Sequence, residues 1–192
     1  MIVVTDGDDL ARRALKMAAR QLRARVISRS AGNPTPLSGE ELVRWVGRAR
    51  YDPVIVMFDD NGYGGRGDGE RAMAALVRHP SIEVMGALAV ASNTAWAEGV
   101  RVDFSVDCMR RRVAGAVDKD GYPTGEDTLY GDTVGSVRKL GIDLVVGIGD
   151  IGKMGGRDAP ERASPVTTEA LRLLMAEHRR RAAALTNAAG RA

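Results

Sequence analysis

The sequence predicts an α/β fold, with a single doubly wound, mostly parallel sheet of about five strands and helices on both faces. Three observations predict it. Short, mainly apolar runs recur along the chain (Ile2-Val3-Val4-Thr5, Pro53 to Phe58, Ile82 to Ala91, Asp143 to Gly149), and Pro53 to Phe58 is apolar throughout, as a strand covered on both faces should be. Between them lie segments whose apolar residues repeat at the helical period. The spacing of strand and helix matches parallel crossover units and shows no internal repeat, so residues 1–185 read as one domain and residues 186–192 as a frayed tail.

The elements follow in order. Ile2 to Thr5 runs into Asp6-Gly7-Asp8-Asp9 and then a helix from Leu10 to about Leu22, with Leu10, Ala14, Met17 and Ala18 on its apolar face. Asp8 and Asp9 lie where a helix amino terminus favours negative charge. Arg25 to Ser28 is a short strand, and Ala31-Gly32-Asn33-Pro34-Thr35-Pro36 a loop. Ser38 and Glu41 form a capping box that opens a helix to about Ala49. After the third strand, Asp59-Asp60-Asn61-Gly62-Tyr63-Gly64-Gly65 is a glycine loop, and a helix starts near Asp68 and ends before Pro80. The fourth strand, Ile82 to Ala91, ends in Ser92-Asn93-Thr94. Val102 to Val106 alternates like a half-exposed strand, with Val113 to Val117 as its neighbour. Asp118-Lys119-Asp120-Gly121 is a plain turn, since it lacks the closing Glu and the glycine placement of a calcium loop. Asp132 to Leu140 is a helix, the fifth core strand delivers Asp150, and Ser164-Pro165 opens the last helix, with Pro where a missing N–H costs nothing.

Composition narrows the function classes. The chain has 192 residues, a net charge of +3 and 24 Arg against 4 Lys. Its basic clusters, Arg110-Arg111-Arg112 and Arg179-Arg180-Arg181, read as solvated faces, and no nucleic-acid module or stacking array accompanies them. Cys108 is the only cysteine, which excludes an intrachain disulfide and a cysteine metal cage. No leader precedes the first strand and no apolar run approaches the ~20 residues that span a bilayer, so the chain is expected to be made in the cytoplasm, without a signal peptide or a transmembrane segment.

In an open parallel sheet, ligands bind beyond the carboxyl ends of the strands, where strand order reverses. Unusual polar residues gather at those ends: Asp6 and Asp8 after the first strand, Asp59 and Asp60 after the third, Ser92 and Asn93 after the fourth, Asp150 and Lys153 after the last. These eight are the candidate ligand-binding residues. Carboxylates crowded on one rim need protons, basic partners or a cation. Asp6, Asp59, Asp60 and Asp150 are therefore the candidate metal ligands, for Mg²⁺ or Ca²⁺. The competing reading makes each Asp a helix cap. Gly147-Ile148-Gly149-Asp150-Ile151-Gly152 has the spacing of a dinucleotide fingerprint, but an Asp interrupts it and no strand–helix–strand unit follows. Two enzyme templates fit loosely. A haloacid-dehalogenase-like phosphatase would use Asp6 as nucleophile and Asp8 as acid/base, with Ser92, Lys139 or Lys153, and Gly149-Asp150, leaving Asp59-Asp60 without a role. A toprim-like nuclease wants a Glu where Asp6 stands.

Taken together, Val3-Val4-Thr5-Asp6-Gly7-Asp8, Ser30-Ala31-Gly32-Asn33-Pro34, Asp52 to Asp60, Ala89 to Thr94 and Val146 to Met154 resemble the soluble form of the stage V sporulation protein AE family. Gly39-Glu40-Glu41-Leu42 and His79 to Val84 match as well, so the resemblance runs in order from Ile2 to Met175. It implies a role beside the stage V sporulation A group of spore-forming bacteria, which moves dipicolinic acid as its calcium chelate. It also implies a place in the forespore or spore, peripheral to the inner membrane, with membrane-embedded proteins of that group as partners. It carries no catalytic residues and no nucleic-acid partner. The rim is then expected to take a calcium–dipicolinate chelate, a metal or a partner loop, with Arg29, Arg66 and Arg101 as candidate donors to the dianion from rim loops.

Overall fold

A computed structural model describes residues 1–61, 67–93 and 98–189. In chain order the elements are β1 (Ile2–Val4), α1 (Asp9–Leu22), β2 (Arg25–Val26), α2 (Gly39–Gly47), β3 (Val54–Met57), α3 (Asp68–Val77) and β4 (Gly86–Val90). Then come β5 (Gly99–Arg101), β6 (Phe104–Val106), β7 (Arg112–Val113), β8 (Thr128–Tyr130), α4 (Val134–Lys139), β9 (Val145–Ile148) and α5 (Pro165–Ala189).

The main sheet has the order β2-β3-β1-β4-β9-β6-β7. Six of its strands run parallel, and β7 pairs antiparallel with β6 at one edge. The α/β class read from the sequence holds, with seven strands where about five were expected. β5 and β8 form a separate antiparallel pair.

Side-chain alternation along the buried strands feeds two cores, because successive residues point to opposite faces. Ile2, Val4, Ile55, Met57, Leu88 and Val90 face a layer built by α1 and α5. Val3, Val54, Val56, Ala87 and Ala89 face Leu42 of α2, Met73 and Leu76 of α3, and Val134 and Val137 of α4. Helices thus cover both faces. Ala11, Ala14 and Ala18 line the inner side of α1, where small side chains let it lie close to the sheet and α5.

Local signals placed most helix ends. Asp8 caps α1 by accepting from the Ala11 amide at 2.7 Å. The Ser38–Glu41 box is complete, with Ser38 N donating to Glu41 Oε2 at 2.9 Å and Glu41 N to Ser38 Oγ at 3.3 Å. Four boundaries differ from expectation. β2 stops at Val26, and Ser28–Ser30 forms a single 3₁₀ turn. β4 begins at Gly86, so Ile82 to Met85 lead into it. α4 begins at Val134, because Thr133 takes a left-handed conformation (φ 55°). α5 stays helical to Ala189, although residues 182–188 are all exposed.

The expected half-exposed strand at 102–106 is instead an interior one. β6 lies between β9 and β7 with all three residues buried. Ser105 is tolerated there because it packs against Gly147, where an added Cβ would sit 2.1 Å from Ser105 Oγ.

One buried carboxylate ties the loop after β9 to the last helix. Asp158 is fully buried and accepts from Gly152 N (2.8 Å), Val166 N (2.8 Å), Thr167 N (2.9 Å) and Thr167 Oγ1 (2.5 Å). It therefore fixes the backbone that carries Asp150 and Lys153 onto the amino end of α5. Asp158→Ala strands these donors in the interior and is expected to cost about 3 kcal/mol, read from urea unfolding at pH 7. An unchanged midpoint would show that the loop is held by other contacts.

Candidate functional site

Strand order reverses between β1 and β4. The connection leaving β1 serves the β3 and β2 side, and the one leaving β4 serves the β9 and β6 side. Two such connections diverge and leave a crevice beyond the strand ends. Thr5 closes its floor, its Oγ1 accepting from Val90 N at 2.9 Å. The crevice is a cleft of about 350 Å³ whose lining includes Asp6, Asp8, Asn33, Asp59, Asn61, Ser92, Asp132, Asp150 and Lys153.

Six of the eight candidates read from the sequence, Asp6, Asp8, Asp59, Ser92, Asp150 and Lys153, line this cleft. Asp60 does not. Its carboxylate accepts from Gly69 N at 2.6 Å and Glu70 N at 2.9 Å, which satisfies the first turn of α3, whose own N-cap is Gly67. That is the helix-cap role, and it removes Asp60 from the expected metal quartet. Asn93 is exposed and not part of the lining.

The carboxylates of the cleft fall into two groups. Asp6, Asp8 and Asp150 bring one oxygen each within 4.8 Å of one another. Lys153 bridges two of them, its Nζ lying 2.8 Å from Asp8 Oδ2 and 3.0 Å from Asp150 Oδ1. The second group is Asp59, which faces the Asp132 carboxyl at hydrogen-bonding range. Asp59 is also held by Gly7 N (3.1 Å) and Asn61 N (2.7 Å). Of the four expected metal ligands, then, Asp6 and Asp150 converge, Asp8 joins them, and Asp59 belongs with Asp132.

Gly7 permits this convergence. A Cβ there would lie 2.2 Å from Gly32 O and 2.5 Å from the Asp59 Cβ, so only glycine lets the loops after β1, β2 and β3 meet. Gly32 N donates to Gly7 O at 2.8 Å and locks the contact.

Electrostatics follow from this crowding. Burial, reinforced by the neighbouring Asp8, pushes Asp6 up to about 7 from 3.8. Burial raises Asp59 to about 6, opposed by the Asn61 amide and assisted by Asp132. Burial also raises Asp150, with Lys153 working against it. For Lys153 burial acts to lower the value, and the hydrogen bonds to Asp8 and Asp150 overcome it and raise it. The ammonium is thus the resident counter-charge of the cleft, and Asp6 holds a proton near neutrality.

Asn33, Asn61 and Asp132 were not singled out in the sequence. Asn33 and Asn61 each sit in a loop already recognised, and Asp132 was read only as the start of a helix. The anion donors expected from rim loops are not part of the lining: Arg29 lies over the Trp45 ring, and Arg101 pairs with Asp127 at 3.0 Å. Arg66, Thr94 and the glycine stretch 62–65 lie outside the described residues. Two larger clefts, of about 510 and 560 Å³, open at the amino ends of the strands, and both include Glu83 and His178. They bring no comparable set of carboxylates together and sit at the end of the sheet where parallel folds do not bind ligands.

Fold and cleft together define a doubly wound α/β protein with an acidic crevice at its switch point. The family model for stage V sporulation protein AE1 matches residues 1–178, and the chain belongs to that family. Neither the curated proteins nor the solved structures include a match to it.

The raised acids make stability depend on pH. Asp6 has a folded value near 7 and an unfolded value near 3.8, so its contribution is complete below about pH 4 and is lost as pH rises towards 7. Asp6→Asn removes this loss. At pH 8 it is expected to stabilise the protein by about 2 kcal/mol, and at pH 4 to change little, measured by urea unfolding at both pH values. Equal effects at the two pH values would mean that Asp6 ionises normally in the folded chain.

Proposed function

We propose that this protein is a non-enzymatic binding component of the stage V sporulation A machinery, and that its acidic cleft takes a divalent cation, Ca²⁺ or Mg²⁺, free or as calcium dipicolinate. The observation that carries the reading is the convergence of Asp6, Asp8 and Asp150 around the Lys153 ammonium. Oxygen-only donors suit hard cations, which accept carboxylates and amide carbonyls and keep water. Asn33 and Asn61 add amide oxygens to the same lining.

In this reading Asp6, Asp8 and Asp150 would hold a divalent ion, which would supply the positive charge that one ammonium and one proton now supply, so capture would be linked to pH. Lys153, freed from Asp8 and Asp150, would offer a positive charge suited to the carboxylates of a chelated dianion. The family places the chain in sporulation. No helix among the described residues is long and apolar enough to cross a membrane. The proposed place is the forespore or spore inner membrane, beside membrane-embedded proteins of the group.

A second reading uses the same convergence for Mg²⁺-dependent phosphoryl hydrolysis, with Asp6 as nucleophile and Asp8 as acid/base. It has Asp6, Asp8, Asp150, Lys153 and Ser92 in one cleft in its favour. Against it, that pattern leaves Asp59, which lines the same cleft beside Asp132, without a role.

Calorimetric titration of the full chain with CaCl₂, MgCl₂ and calcium dipicolinate at pH 7, where Asp6 still holds about half a proton, tests the reading. The expected result is binding that weakens at least about tenfold in Asp150→Asn, since a charged ligand is lost, and is unchanged in Asp60→Asn. Release of protons on binding should disappear in Asp6→Asn. Equal loss in Asp60→Asn and Asp150→Asn, or no heat with any of the three ligands, overturns it. Turnover of a generic phosphomonoester that is lost in Asp6→Asn would decide for the hydrolase.

A further inference from the structure

The edge of the sheet opposite β7 carries an unbalanced charge. Between Arg20 and Tyr51 the sequence has seven arginines, two glutamates and no other ionisable acid. None of those seven arginines makes an ion pair among the described residues. Arginines elsewhere commonly do, as Arg12 with Asp9, Arg71 with Asp68, Arg138 with Glu98 and Arg172 with Glu169 show. One of the two glutamates, Glu41, is tied into the Ser38 capping box.

Topology gathers these charges. Arg25 opens β2, the edge strand of the sheet, and is exposed. Arg44 and Arg48 lie one turn apart on the exposed side of α2, which follows β2. Arg50 and Tyr51 lie in the link from α2 to β3, the strand beside β2, and Tyr51 is 60% exposed. Trp45 of α2 is 37% exposed, and Arg29 places its guanidinium over that ring, 5.1 Å from the centroid.

We infer that this edge docks on an anionic lipid bilayer, with its arginines among the phosphates and Trp45 and Tyr51 at headgroup depth. Arginines in excess of acids (Glu41 acts on Arg44, and Asp52 and Glu83 lie in one cleft with Arg50), beside exposed Trp and Tyr, are the chemistry of such a surface, because guanidinium forks fit phosphate and amphipathic rings settle at the interface. The alternative anion, nucleic acid, is disfavoured by Trp45, whose face Arg29 already occupies and would have to vacate for a base to stack. Lipid insertion leaves that pair intact. The inference deepens the membrane-peripheral part of the proposed function by naming the contact surface, and it makes no use of the acidic cleft.

Co-sedimentation of the full chain with vesicles of phosphatidylcholine, pure or with about one-third phosphatidylglycerol, tests it in EDTA, so that no cation bridges the cleft to the lipid. Binding should require phosphatidylglycerol and disappear as salt rises towards about 0.5 M. The triple variant Arg25→Gln/Arg44→Gln/Arg48→Gln should bind at least about tenfold more weakly, while Arg12→Gln/Arg138→Gln/Arg172→Gln, with the same loss of net charge, should bind like the parent. In a Trp96→Phe background, Trp45 emission should shift to the blue on binding. Equal weakening in both triple variants, absence of binding, or duplex DNA binding with no Trp45 shift would each overturn it. A calorimetric failure of calcium binding would leave this result untouched, and the converse holds as well.

Discussion

The structure depends on one electrostatic constraint, that carboxylates crowded at the ends of buried parallel strands must be neutralised without much water. Burial, with neighbouring acids adding to it, pushes Asp6 and Asp59 well above the usual carboxylate range. Among the described residues the constraint is met chiefly by the Lys153 ammonium and by protons. Lys153 reaches across 145 residues of sequence to Asp8, so the same ion pair that balances charge also clasps the loop after β9 to the loop after β1. A clasp made by charge exchange is conditional, because anything that offers more positive charge to Asp6, Asp8 and Asp150 competes with it. The cleft is therefore a structural junction, in which one charge pair holds two loops together.

The aspartates divide by what their oxygens meet. Asp158 and Asp60 meet backbone amides of helix starts, and Asp107 meets the Met109 and Arg111 amides together with the Arg111 guanidinium. Their oxygens are taken up by donors held in helix starts or tight loops. Asp6 accepts one amide, from Asp8, at 3.1 Å, and otherwise looks onto other acids. An acid whose nearest company is acidic is destabilising for the fold, and a cation is the partner that reverses the sign. This difference in company, rather than position at a strand end, separates Asp6 from the caps, whereas Asp8 both caps α1 and lines the cleft.

Much of this was legible in the sequence. Apolar runs such as Val54 to Met57 announce strands covered on both faces, and the alternation of strand and helix announces parallel pairing. With that sheet the strand-end residues Asp6, Asp59, Ser92 and Asp150 had to come near one another, since the topology brings together ends that are far apart in the chain. What the sequence did not carry was direction. Asp59 and Asp60 are adjacent, so one turns to the cleft and the other to α3, and nothing in two consecutive aspartates states which. β6 was obscured because Ser105 gives it the look of an alternating strand, when the partner that accommodates the hydroxyl, Gly147, lies on β9. Asp132 was hidden by serving as an apparent helix start, and its meeting with Asp59 depends on the long excursion through β5 to β8.

Charge is also arranged on the scale of the whole molecule. The acidic cleft lies at the carboxyl ends of the strands, and the unpaired arginines lie along the β2 edge, roughly at right angles to it. An anionic surface repels the first and attracts the second, so the two together favour one orientation, with the edge strand on the surface and the strand ends opening sideways into water. In that orientation the cleft stays accessible to a diffusing cation or chelate while the chain is held in place. Docking by the strand ends would instead press Asp6, Asp8 and Asp150 against like charge, and docking by β7 would leave the basic edge facing solvent. A bilayer contact through the β2 edge and cation capture in the cleft are thus compatible in one molecule, because the charges that drive them are kept on separate sides of the sheet.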